Sequence, residues 1–190
     1  MFLRSDIIFS NSIVVQIANA CEYTNNGIFK FVHSFSFAIR TMTKLNLPEY
    51  SFRFQKSEKG LKIFDSLRKK FLVLTPEEWV RQNLIQYLIQ EKKYPASLIA
   101  IETGLKYNRL QKRSDITIHD RKGNVWMIVE CKASEIKLSQ ETFNQAATYN
   151  IANKTKTKYL SITNGLKHYC CEMDYQQEKY TFLKDFPENV

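Results

Sequence analysis

Two carboxylates, Asp115 and Glu130, and one amine, Lys132, stand where two short apolar segments flank a polar turn. Residues 114–120 alternate apolar and polar at period two, Arg121, Lys122, Gly123 and Asn124 make a turn sequence, and residues 125–132 form a second strand pattern. A turn centred on Lys122 and Gly123 pairs Ile118 with Met127, Ile116 with Val129 and Asp115 with Glu130. The two acidic side chains then share one face with Cβ atoms roughly 5 Å apart, where like charges destabilise a sheet unless a cation sits between them. A hard divalent ion of the magnesium type suits such oxygen ligands, since it takes one or two carboxylates and keeps waters and substrate phosphate oxygens. Lys132 points to the same face about 7 Å beyond Glu130, where an ammonium can orient or deprotonate a water or neutralise charge growing on phosphorus. Ile116, Ile118, Met127 and Val129 share the opposite face and would brace the carboxylates from behind. The chemistry implied is metal-assisted hydrolysis of a phosphodiester.

The partner implied by charge agrees with that chemistry. The 190-residue chain carries a formal charge of +9 and a pI near 9.3, which favours a polyanion, nucleic acid foremost, because clustered Lys and Arg neutralise phosphates and release counterions. Lys106, Arg109, Lys112 and Arg113 lead directly into the hairpin and are the candidate backbone contacts. Cys21, Cys131, Cys170 and Cys171 form no Cys-x-x-Cys pair and have no His at zinc spacing, so a reduced compartment is expected and Cys131 reads as a small core residue. No Gly-rich loop ending in Gly-Lys-Ser or Gly-Lys-Thr is present, so ATP-driven work would fall to another chain.

The elements that must position these residues begin after a different kind of segment. Residues 1–41 hold only Arg4, Lys30 and Arg40 against Asp6 and Glu22, and coherent patterning starts near Leu45. A poorly ordered N-terminal extension over 1–41 and one domain over 42–190 are therefore expected, a length that suits a single core. Ser10, Asn11 and Ser12 interrupt the apolar start, which argues against a signal peptide, and no run is long enough to span a bilayer, so a cytoplasmic location is expected. Strand patterns at 52–54, 61–64 and 70–74 precede a helix signalled by Thr75 as cap, Pro76 in the first turn and Glu78 three after the cap. Trp79, Val80, Leu84, Tyr87 and Leu88 recur at helical spacing to about Gln90. A strand at 97–102, the hairpin, a second helix from Ser139 to about Ala152 and closing strands at 158–163, 167–171 and 179–183 complete the order, with Asn164 and Gly165 as a tight turn.

Taken together, Ile63-Phe64-Asp65, the run from Leu74 to Arg81, Lys112-Arg113-Ser114-Asp115, Val129-Glu130-Cys131-Lys132, Gln145 with Tyr149 and Asn150, and Thr163-Asn164-Gly165 follow one another in a familiar sequence. Over roughly Leu47 to Pro187 the chain resembles the PD-(D/E)xK nuclease superfamily, and within it the N-terminal nuclease domain of type I restriction enzyme R subunits in a compact stand-alone form. The resemblance implies an α/β, restriction-endonuclease-like core: a central mixed sheet of about four to five strands flanked by helices in the order α-β-β-β-α-β, plus an extra N-terminal strand hairpin. It also implies a magnesium-dependent (or manganese-dependent) DNA endonuclease in which Asp115 and Glu130 bind the metal, Lys132 assists the attacking water and Glu78 supports the metal shell, with Glu77 as its alternative. Gln145 and Tyr149, four apart on one helix face, would reach the same phosphate or metal water. Ser114 stands where the superfamily's namesake proline would be. A separate ATP-dependent translocase or other restriction subunits are the implied partners, and the alternative from another class is a non-cleaving nucleic-acid-binding or assembly module.

Overall fold

The computed structural model describes residues 7–10, 42–58, 60–103, 114–144, 147 and 156–188. A small antiparallel sheet comprises β1 (Ile7–Ser10), β2 (Ser51–Ser57), β3 (Gly60–Asp65) and β4 (Lys70–Val73) in that order. Alternation along β2 and β3 buries Phe52, Phe54, Leu61 and Ile63 on one face. Within 1–41 only β1 is described, pairing Ile7 with Phe54 and Ser10 with Ser51; the rest of the segment expected to be a poorly ordered extension lies outside the described residues.

Helix α1 (Pro76–Gln90) begins where the cap signal places it, with the Thr75 hydroxyl accepting the Glu78 N–H at 3.1 Å. A helix on a protein surface buries one stripe, but here every residue from Glu78 to Ile85 is buried. Trp79, Val80, Leu84, Ile85 and Leu88 join Phe52, Phe54 and Ile63 of the small sheet and Ile116, Ile118, Met127 and Val129 of a second sheet in one apolar cluster. Covered on several sides, the helix must satisfy its polar Glu78, Arg81, Gln82 and Asn83 inside the protein.

That second sheet has six strands, extending the expected four or five: β5 (Ile99–Thr103), β6 (Ser114–His119), β7 (Val125–Cys131), β8 (Tyr159–Thr163), β9 (His168–Asp174) and β10 (Lys179–Leu183), with spatial order β10-β9-β8-β7-β6-β5. A short 3-10 turn, Ala96–Leu98, occupies the start of what the sequence suggested as strand. Among the described strands only β7 and β8 pair in parallel, and their crossover carries the second helix, whose described part is residues 140–144 and 147 (α2). Leu138, Phe143 and Ala147 pack there against Leu160, Ile162, Cys171 and Met173, with Ile128 alongside. The architecture is thus a mixed α/β core with helices on both faces of the large sheet.

The turn after β8 is set by Asn164, whose Oδ1 accepts the N–H groups of Leu166 and Lys167 at 3.0 and 2.8 Å. Gly165 is left-handed at φ +79, and a Cβ there would come within 2.6 Å of a Leu45 methyl. The Asn46 N–H donates to the Gly165 carbonyl at 2.7 Å, so the segment leading into β2 is fastened to the end of the large sheet.

Candidate active site

The hairpin forms in the expected register: Ile116 faces Val129, Thr117 faces Ile128 and Ile118 faces Met127, with a bulge at Ile118/His119 before the turn. Ile116, Ile118, Met127 and Val129 are all buried in one cluster, so the apolar backing is present. The ladder runs no further than Ile116 and Val129. One residue on, Oδ2 of Asp115 accepts the Cys131 N–H at 2.7 Å, so the carboxylate stands in the place of a ladder acceptor and is fixed by the neighbouring strand.

Glu130 and Lys132 lie on the same face and meet directly, Nζ to Oε1 at 2.8 Å. Burial, then the charge of Glu130, raise the Asp115 pKa above its ordinary value, despite the Cys131 N–H and the guanidinium of Arg81. Asp115 and Glu130, expected to face each other, are not a ladder pair, the last pair being Ile116 with Val129. Burial favours a neutral Lys132, but the hydrogen bond and charge of Glu130, with Asp115 and Glu77 behind it, outweigh this and raise its pKa. Without an ion, the pairing with Glu130 thus favours the charged form of Lys132.

Arg81 enters from α1. Its Nη2 donates to Oδ1 of Asp115 at 2.8 Å and to Oε1 of Glu77 at 3.0 Å, while Nη1 donates to Oε2 of Glu78. Glu78 is at the expected place on α1, yet its side chain does not complete a reciprocal cap: Oε1 accepts from Gln82 at 2.8 Å and from Arg68 at 3.2 Å. Asp65, fully buried at the end of β3, accepts from the backbone N–H groups of Leu67 and Arg68, from Arg68 Nε at 2.6 Å and from Gln82 at 3.0 Å. Asp65, Arg68, Gln82, Glu78 and Arg81 are thus one chain of charge-assisted hydrogen bonds ending on Asp115. Asp65 and Arg81 lie in the segments that carried the resemblance, but their joining is invisible in sequence, because nothing there marks polar helix positions as buried.

The structure pairs Glu130 with Lys132, sets Asp115 against the N–H of Cys131 between them, and joins Glu77 and Glu78 to Asp115 through Arg81. Gln145, Tyr149, Lys106, Arg109, Lys112 and Arg113 lie outside the described residues. Among the described residues no three His, Cys, Asp or Glu side chains converge closely enough to hold an ion by themselves. One carboxylate paired with Arg81 and another paired with Lys132 nonetheless suit a magnesium-type ion, which fills its shell with waters and phosphate oxygens. Among the described residues no helix is long and apolar enough to cross a membrane.

One family model, described as type I restriction enzyme R protein N terminus, matches residues 76–187. That span runs from the start of α1 past β10 and contains Glu77, Glu78, Arg81, Asp115, Glu130 and Lys132. No curated protein matches the chain.

Proposed function

We propose a function on one premise: the chain belongs to the family of type I restriction enzyme R protein N termini, matched over more than half its length. The function is hydrolysis of DNA phosphodiester bonds with a magnesium or manganese ion, at a site of the PD-(D/E)xK kind, in the cytoplasm. The observation that carries it is geometric: Lys132 pairs with Glu130 at 2.8 Å at the end of β7, and Oδ2 of Asp115 on β6 accepts the N–H of Cys131, the residue between those two, at 2.7 Å.

Asp115 and Glu130 would hold the ion, and what the ion supplies when bound is a water of lowered pKa and positive charge beside the phosphate oxygens. Asp115 is kept in place by the Cys131 N–H and the buried side chains behind it, so its own position is set before substrate arrives. Lys132, held charged by Glu130, neutralises the negative charge that grows on the phosphoryl group. Glu78 supports the site through Arg81, Gln145 and Tyr149 contact the phosphate or its water, and Lys106, Arg109, Lys112 and Arg113 hold the DNA backbone without reading bases. As partners of this domain we infer DNA and other components of a restriction assembly, an ATP-dependent translocase among them.

Incubating plasmid DNA with the protein and magnesium tests this. Wild type should nick or cut, whereas Asp115→Ala and Lys132→Ala should each lose about a hundredfold or more, the scale of removing a preorganised charge-stabilising group. Cleavage surviving both substitutions would remove the assignment. A second reading, a non-cleaving DNA-binding or assembly module, draws on the absence of a three-acid cage among the described residues. It requires that wild type bind DNA and leave it intact at every magnesium and manganese concentration.

A further inference from the structure

We propose that Arg81 is the resident counter-ion of the metal site: it occupies Asp115 in the ion-free protein and competes with the divalent ion for it. The inference rests on the function proposed above and adds a residue to which the family match and the motif assign no role.

Arg81 is nearly buried, with its side chain 6% exposed, and its guanidinium is shared by Asp115, Glu77 and Glu78. Buried like charges cannot stand together unpaired, and without an ion the carboxylates of α1 and β6 need a cation between them. Arg81 meets that need from the helix side, as Lys132 does for Glu130. Asp115 has its Oδ2 committed to the Cys131 N–H and its Oδ1 to Arg81, so both oxygens are engaged in the ion-free state. An ion that takes Asp115 must therefore break the Arg81 contact or compete with its charge at close range. Glu77 and Glu78 remain to hold the guanidinium when it leaves, so its displacement strands no buried charge.

The test is manganese binding by titration calorimetry on the full chain without DNA, comparing wild type, Arg81→Gln, Arg81→Lys and Asp115→Ala. Releasing Asp115 from a charge-assisted hydrogen bond should tighten manganese binding on the order of tenfold in Arg81→Gln, with Arg81→Lys in between. Tightening cannot come from a damaged site, because misfolding weakens ion binding. If wild type binds manganese in a way that Asp115→Ala abolishes, but Arg81→Gln binds equally or more weakly while keeping its circular dichroism, the counter-ion role fails and the metal site stands. Should Arg81→Gln not fold, Arg81→Lys decides alone by the same comparison. If no variant and no wild type shows Asp115-dependent binding, the metal site itself falls, and the counter-ion role with it.

Discussion

Asp115 is the residue at which function and stability pull in opposite directions. Its pKa is raised by burial first and by Glu130 second, so the carboxylate that ion binding needs is less favourable in the folded protein than in the unfolded chain. For an acid whose folded pKa lies above its unfolded value, ordinarily 3.8, stability is lost as pH rises through the folded pKa and restored below the unfolded one. With a chelator present, Asp115→Asn should therefore melt higher than wild type at pH 7, and the gap should close as pH falls below about 4. Added manganese should reverse the order, because it stabilises only a protein that binds it. A thermal-melt series over pH in both conditions measures this, and a variant less stable than wild type at pH 7 with chelator would contradict it. The register that sets Ile116 against Val129 was legible in sequence because period-two alternation leaves few registers that bury Ile116, Ile118, Met127 and Val129 together. Arg81 was not, since its meaning comes from contacts across 34 residues of chain.

At the scale of elements, α1 is the piece whose sequence misleads. Arg81, Gln82 and Asn83 look like solvent-facing positions of an amphipathic helix, and its capping signals and apolar spacing place it correctly, but all three are buried: Arg81 meets Asp115 of β6, Gln82 meets Asp65 of β3, and Asn83 donates to the Trp79 carbonyl. Local periodicity carries no information about a second layer arriving from elsewhere in the chain. The bond between layers is Asp65: it closes the turn after β3 and grips Gln82 of α1. Burial pushes its carboxyl up, but the Arg68 backbone and side chain and Gln82 outweigh burial and leave it below its ordinary value of 3.8. A lowered pKa means that its contribution is complete above the unfolded value and is lost as pH falls through the folded one. Asp65→Asn should cost about 2–4 kcal/mol at neutral pH, because it leaves Arg68 and Gln82 donors facing an amide inside the protein. Urea unfolding at pH 7 and below pH 4 reads both parts: the deficit should shrink only in the acidic series, and a deficit constant across pH would show that the charge of Asp65 is not what matters.

The whole molecule depends on a layer that the family match leaves out. Residues 76–187 include α1 and the large sheet, whereas β1 to β4 precede them. Yet Phe52, Phe54, Leu61 and Ile63 of the small sheet belong to the same apolar cluster as Trp79, Leu84, Ile116 and Val129. Burying a large apolar side chain contributes about 1.5–3 kcal/mol, so these four contribute roughly 6–12 kcal/mol, comparable with the entire net stability of a domain, about 5–15 kcal/mol. Removing the small sheet would also expose α1 on the side where Gln82 and Glu78 meet Asp65 and Arg68. The two sheets and the helix between them should therefore melt as one unit. Calorimetry of the full chain should give a single transition with matching calorimetric and van't Hoff enthalpies. A chain beginning at Thr75 should show none, although it retains every residue of the family match together with Asp115, Glu130 and Lys132. If that shorter chain instead melted cooperatively near the temperature of the full chain, the small sheet would be an accessory, and the network from Asp65 to Arg81 would lose its claim to position the site.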